Sequence, residues 1–203
     1  MNSRLIITDI AKSFSRKRLF RNITVELSGN NSLAVTGPNG SGKSTLVEIA
    51  AGIRRPDTGN VQLLIDGSAV DRKDFMKYAG FCSPRIFPYE DLSGYENILF
   101  ALKKKDRMDT IDPMLERFLL LAHKNKPVRY YSTGMRQRLK FILAIINDPP
   151  VLFLDEPGTN LDDAGKTAMY DMIRELHDGH LIMIATNDTV ERKLCDGEIR
   201  LGE

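Results

Sequence analysis

Residues 32–52 read SLAVTGPNGSGKSTLVEIAAG, and the changes of character within this stretch decide the fold. Ser32 to Thr36 is a short apolar run of strand type, Gly37 to Thr45 is glycine-rich, and STLVEIAAG reads as a helix closed by Gly52. The loop between strand and helix fits G-x-x-x-x-G-K-[ST] at every required position. Gly37, Gly40 and Gly42 let the backbone curl so that successive N–H groups face phosphate oxygens. Lys43 supplies a positive charge for the β- and γ-phosphates, and the Ser44 hydroxyl can ligate Mg²⁺. The helix N-terminus beyond adds a favourable dipole. Pro38, Asn39, Ser41 and Thr45 complete the cradle. The strand before and the helix after are the context that separates a nucleotide-binding loop from a chance glycine turn.

Working outward, LIITDI and NITVEL alternate as two antiparallel strands joined by the basic turn SRKR. PDTGNVQLLIDG reads as a turn and a short hairpin. From about Ser93 to Ile146 the pattern is helical. ENILFALKKK is one helix. DPMLERFLLLAHK is a second, with Asp112 as N-cap and Pro113 at the first helical position. A third carries Met135, Leu139, Ile142, Leu143 and Ile146 on one face. VLFLDE then reads as a buried strand, MYDMIREL as a helix closed by DG, and LIMIATND as a further strand. Buried strands alternating with helices predict an α/β fold with a parallel sheet. The expected architecture is a P-loop NTPase (RecA-like) core with an N-terminal antiparallel β subdomain and an inserted helical subdomain.

Composition narrows the function classes. The 203 residues, 42% hydrophobic, suffice for one sizeable core. A net charge of +2, from 29 basic and 27 acidic residues, argues against nucleic acid as partner. Cys82 and Cys195 lack CxxC spacing and read as reduced, partly buried thiols of a cytosolic protein. His123, His177 and His180 form no metal cluster with them. The N-terminus has no signal-peptide core, and no apolar run is long enough to span a bilayer.

The strand VLFLDE supplies the partners of the phosphate loop. A carboxylate at the end of a buried strand beside that loop is suited to hold Mg²⁺, which is the expected task of Asp155. Glu156, a second acid beside it, is expected to be the general base that activates the attacking water. The pair points to transfer of a γ-phosphoryl group to water. No N-K-x-D guanine-reading motif occurs, which disfavours a GTPase. The basic run HKNKPVRYYSTGMRQR imitates the arginine-rich lid of a small-molecule kinase and keeps that alternative open.

YSTGMRQRL, ahead of VLFLDEP, resembles the LSGGQ signature of ATP-binding-cassette (ABC) ATPases. Tyr131 stands for the leucine, Ser132 for the serine, Thr133 and Gly134 for the glycines, and Met135 for the glutamine. Phe14 in AKSF resembles the aromatic that stacks on adenine. GFCSPRIFPYEDLSGYENI resembles the Q-loop region, EPGTNLD the segment ending in the D-loop at Asp162, and IATND the switch region. The resemblance covers essentially the whole chain. It implies one ABC ATPase domain over 1–203, with 1–84 and 147–203 as catalytic core plus β subdomain and 85–146 as helical lobe. It implies ATP and Mg²⁺ as ligands, and a head-to-tail dimer, most simply a homodimer. In that dimer Ser132, Thr133, Gly134 and Met135 face the partner subunit's ATP.

The resemblance further implies a separate transmembrane permease, docked through residues such as Ile86, Phe87 and Tyr89. The chain would then lie in the cytoplasm, peripheral on the cytoplasmic face of the inner or plasma membrane. The form of YSTGMRQRLK, LSGYENI and TND looks most like exporter-type ATPases, including those similar to heme-export subunits. Alternatives of the same family are a soluble, non-transport ATPase and a weakly hydrolysing regulatory subunit. Two departures matter most. Pro84, with Arg85 next to it, aligns with the usual Q-loop glutamine. Asn187 stands where the switch histidine is usual, so it can donate a hydrogen bond to a γ-phosphate but cannot carry charge.

Overall fold

The computed structural model describes residues 1–14, 17–103 and 105–202. The chain runs β1 (Ser3–Phe14), β2 (Lys17–Ser28), β3 (Ser32–Thr36), α1 (Lys43–Ala50), β4 (Thr58–Ile65), β5 (Ser68–Val70), α2 (Phe75–Tyr78) and β6 (Ala79–Cys82). There follow α3 (Gly94–Ala101), α4 (Ile111–Arg117), α5 (Thr133–Ile145), β7 (Val151–Asp155), α6 (Asp163–His177), β8 (Leu181–Ala185), α7 (Thr189–Arg192) and β9 (Gly197–Arg200). Of the predicted SRKR turn, Ser15 and Arg16 lie outside the described residues, as does Lys104 in ENILFALKKK.

Strands β3, β7 and β8 are buried at every residue, which requires cover on both faces. They sit inside a five-stranded sheet of order β6-β7-β8-β3-β9 whose neighbours are all parallel. The alternation of side chains divides each strand between two cores. Leu33, Val35, Val151, Phe153, Leu181 and Met183 point to one side, where they meet Leu46, Val47 and Ile49 of α1. The antiparallel sheet β2-β1-β4-β5 closes that core with Leu5, Ile7, Val61 and Leu63. Its β4–β5 hairpin turns at Asp66 and Gly67, both at positive φ, as a two-residue hairpin turn requires. On the other side Leu152, Leu154, Ile182 and Ile184 meet α5, α6 and the helical segment between β6 and β7.

Two expectations about the helical segment need correction. Asp112 does not cap α4. Thr110 occupies the N-cap without a side-chain bond, and Asp112 lies inside the helix, paired with Lys124 at 2.6 Å. Pro113 is therefore not the first helical residue. Burial of Ile111 draws the start back, because its fully covered side chain belongs to the second core. DPMLERFLLLAHK is also not one helix, since α4 ends at Arg117 and Leu119 adopts φ 57. The Leu119 N–H bonds to Glu116 O at 2.9 Å and the Leu120 N–H to Leu115 O at 2.7 Å, closing the helix end in the way glycine usually does. A left-handed leucine costs about 1–2 kcal/mol. The turn lets Phe118 and Leu120 both be fully buried while Leu119 faces solvent, and each such burial is worth about 1.5–3 kcal/mol. Packing wins.

Candidate active site

Parallel pairing brings the chemistry-bearing loops to one edge. Val35 of β3 pairs with Ala185 of β8, which pairs with Asp155 of β7. The segments that leave these strands are the glycine-rich loop, Thr186–Asn187 and Glu156, so they meet at the carboxyl end of the sheet, where open α/β sheets take their ligands.

The loop's shape follows from its glycines. Gly37 has φ 137, and a Cβ there would collide with the Leu201 carbonyl oxygen. Lys43 is 6% exposed, and its Nζ donates to Gly37 O at 2.8 Å and Pro38 O at 3.3 Å. The ammonium is thereby held within the curl of the loop. Ser41 Oγ is buried with no hydrogen-bond partner among the described residues, an orphan group that a phosphate oxygen can satisfy. A cleft of 440 Å³ joins Phe14, Asn39, Gly40, Lys43, Ser44, Thr45, Arg85 and Glu156. Phe14 is 44% exposed, with the Arg54 guanidinium 5.2 Å and Lys12 Nζ 5.6 Å from its ring centroid.

Ser44 Oγ donates to Asp155 Oδ1 at 2.9 Å, and Ser83 Oγ to Oδ2 at 3.5 Å. Burial pushes the Asp155 carboxyl above its ordinary range, the Ser44 bond pulls it back, and the neighbouring Glu156 charge raises it again. A carboxyl kept dry beside a hydroxyl suits a hard cation such as Mg²⁺, which relies on one or two carboxylates and on substrate phosphates. Among the described residues no cluster of three His, Cys, Asp or Glu can hold a metal without such help.

Glu156 follows β7 directly and takes φ 49, a strained state for a residue with a side chain. It is fixed from both sides. Its N–H donates to Ala185 O at 2.9 Å, while buried Gln137 of α5 donates through Nε2 to Pro157 O at 2.8 Å and Glu156 O at 3.5 Å. Glu156 lines the cleft, and Thr159 Oγ1 donates to its Oε2 at 3.5 Å. Asn187 Nδ2 donates to Asn39 Oδ1 at 2.8 Å, so the residue expected at the switch lies directly on the glycine-rich loop. His180 is instead tied to Asp148 and Leu176 O, away from that edge.

The predicted signature residues are not brought to this cleft. Ser132 is exposed and caps α5, accepting the Met135 N–H at 3.2 Å. Gly134 lies so close to the loop after Glu156 that a Cβ would stand 3.0 Å from Asn160 O. Thr133 lines a neighbouring 350 Å³ groove with Glu156 and Thr159. Asp162 caps α6 through the Gly165 N–H at 3.0 Å and pairs with Arg138 of α5 at 2.7 Å. The Gly165 N–H, and after it the Arg138 charge, hold the Asp162 carboxyl below its ordinary range.

Sequence reading missed Ser83, Gln137, Arg138 and Glu191. Glu191 is 2% exposed and accepts the Gly158 N–H at 2.8 Å, fastening the loop after Glu156 to α7. A Gln and an Arg within an amphipathic helix, or a lone Glu, carry no periodic signal that would single them out.

Residues 20–159 match the family model described as ABC transporter. YdbJ of Bacillus subtilis strain 168, an uncharacterized ABC transporter ATP-binding protein, is 34% identical over 199 residues, or 95% of this chain. The chain spans 64% of that relative's length. The zinc import ATP-binding protein ZnuC of Photorhabdus laumondii is 29% identical over 202 residues, covering 94% of this chain and 75% of its own. The dimeric structure of MJ0796, a bacterial ABC transporter cassette, has the same fold, with a TM-score of 0.83 at 22% identity over 97% of this chain and 94% of that one. With its strand–loop–helix, its paired acids and its capped α5 in the order of that family, the chain belongs to the ABC transporter ATP-binding proteins.

Proposed function

We propose that the chain binds ATP in the 440 Å³ cleft and hydrolyses it, acting as the ATP-driven subunit of a transporter whose membrane part is a separate permease. The observation that carries this reading is the meeting of Lys43, the Ser44–Asp155 pair and Glu156 at one edge of the sheet. In it the loop N–H groups, Lys43 and Ser41 hold the phosphates, and Phe14 stacks on the adenine. Ser44 and Asp155 would hold Mg²⁺, which when bound neutralises charge developing on the β- and γ-oxygens. Glu156 takes the proton of the attacking water. Asn187 donates to the γ-phosphate from its place beside Asn39. Ser132, Thr133, Gly134 and Met135 serve the ATP of a second copy, the D-loop residue Asp162 holds α5 against α6, and the whole of 1–203 works as one ATPase unit.

A Glu156→Gln variant keeps the shape of the side chain and removes the base. Turnover should vanish, and with MgATP the protein should run as a dimer in light scattering. An unchanged rate together with a persistent monomer would overturn both the base and the dimer. A weakly hydrolysing regulatory subunit is the second reading, favoured by Asn187 and Pro84. It predicts ATP binding with negligible wild-type turnover. The form of the signature favours export, whereas ZnuC is named for import. Transport into and out of vesicles bearing the co-purified permease separates the two directions.

A further inference from the structure

Arg85 is held in the cleft at both its backbone and its side chain. Its N–H donates to Ser83 Oγ at 3.2 Å, and that hydroxyl donates in turn to Asp155 Oδ2 at 3.5 Å. Ser83 is 1% exposed, and the Ile86 N–H closes the turn on Ser83 O at 3.1 Å. The turn carrying Arg85 is therefore pinned to the carboxylate that marks, with Ser44, the metal end of the cleft.

The side chain has its own anchor. Arg85 Nη1 donates to Glu48 Oε1 at 2.8 Å. Glu48 lies on α1, is 5% exposed, and its other oxygen accepts Arg54 Nε at 2.6 Å. Glu48 is shielded while the Arg85 side chain is 68% exposed, so the charge-assisted bond fixes one nitrogen of the guanidinium and leaves the rest of the group open. A guanidinium offers five N–H donors in a planar fork. The remaining donors of Arg85 have no protein partner among the described residues, and the residue lines the same cleft as Lys43, Ser44 and Glu156. A cation with spare donors, held by Glu48 on a turn that Ser83 ties to Asp155 and lining the cleft, is placed to meet the charge that distinguishes a triphosphate from a diphosphate.

We propose that Arg85, positioned by Glu48, contacts the γ-phosphate and makes the site prefer nucleoside triphosphate over diphosphate. It supplies the side-chain contact that Pro84 cannot make. This inference rests on the nucleotide reading above.

The test is the binding of MgATPγS and of MgADP to wild type, Arg85→Ala, Arg85→Lys and Glu48→Gln by titration calorimetry. Arg85→Ala should weaken ATPγS about tenfold, the scale of one lost charge-assisted bond, and leave ADP within about twofold. Arg85→Lys should recover part of the loss, and Glu48→Gln should shift the ATPγS-to-ADP ratio in the same direction as Arg85→Ala. The ADP affinity serves as the folding control. Equal losses for both nucleotides would assign Arg85 a structural role, and no loss for either would reduce it to a surface ion pair; each result overturns the proposal. If wild type binds neither nucleotide, the nucleotide reading itself fails and this inference falls with it.

Discussion

Glu191 is a carboxyl group out of reach of water, beneath the loop that follows Glu156. It accepts the Gly158 N–H and, at 3.4 Å, the Tyr170 hydroxyl. Burial pushes its protonation equilibrium up, against the pull of Thr186 and the Gly158 N–H. Below the ordinary glutamate range the group is protonated in folded and unfolded chains alike, so it adds no pH dependence. Between the ordinary and the raised value the folded protein keeps a proton that the unfolded chain releases, so stability falls as pH rises. Above the raised value the full burial penalty applies. The Tm of Glu191→Gln minus that of wild type should therefore grow as pH rises through this window, and a flat difference would show that the carboxyl is not penalised. Glu191→Ala leaves the buried Gly158 N–H without its partner and should lose about 1–3 kcal/mol in urea unfolding. Beside Asn39, Asn187→His adds a group that can carry charge. A turnover gain of several orders of magnitude would identify the native site as nearly silent, and a modest change would show that the residue at this position does not limit turnover.

At the scale of elements, four helix starts among the described residues are closed by side-chain caps, at Ser93, Ser132, Asp162 and Asp188. α3 begins with a capping box in which Ser93 Oγ accepts the Glu96 N–H and the Glu96 carboxylate accepts the Ser93 N–H. Ser93→Ala should cost about 1 kcal/mol of stability. Ser132 caps α5 through the Met135 N–H alone, with no reciprocal bond, and is exposed. Ser132→Ala should therefore cost a similar amount of stability and, in the proposed dimer, far more in turnover; equal and small effects on both would make Ser132 a cap and nothing else. β6 runs so close to α5 that a Cβ on Gly80 would collide with the Ala144 carbonyl oxygen. Gly80→Ala should lose about 3 kcal/mol or more in denaturant unfolding, because backbone cannot yield as a side chain does. Strands and helices of the core were legible from period and from uninterrupted apolar runs. The ends of α4 were not, since they were decided by which of Ile111, Phe118, Leu119 and Leu120 the second core could cover.

At the scale of the whole molecule, two cores share the parallel sheet as their common wall, one under the antiparallel sheet and one under the helices. No helix is long and apolar enough to cross a membrane among the described residues. Phe87, Tyr89 and Phe100 are large apolar side chains left exposed at the surface. If Ser132 serves a second copy, mixing Ser132→Ala with Lys43→Ala should restore part of the turnover that each lacks alone, because one of the two sites in the mixed dimer is intact. Two dead variants that stay dead when mixed would argue against sites shared between copies.

The linear order of residues by itself determined the glycine-rich loop between a strand and a helix, the two acids ending VLFLDE, and the family those motifs resemble. Those features depend on neighbours in the chain, where spacing and period carry the information. Only the tertiary structure decided that Gln137 clamps the backbone at Glu156, that Arg138 pairs with Asp162, that Glu191 holds Gly158, and that Arg85 reaches Glu48. Each of these is a polar contact between residues distant in sequence. Its strength depends on separations of about 3 Å and on the exclusion of water, and no pattern along the chain encodes either.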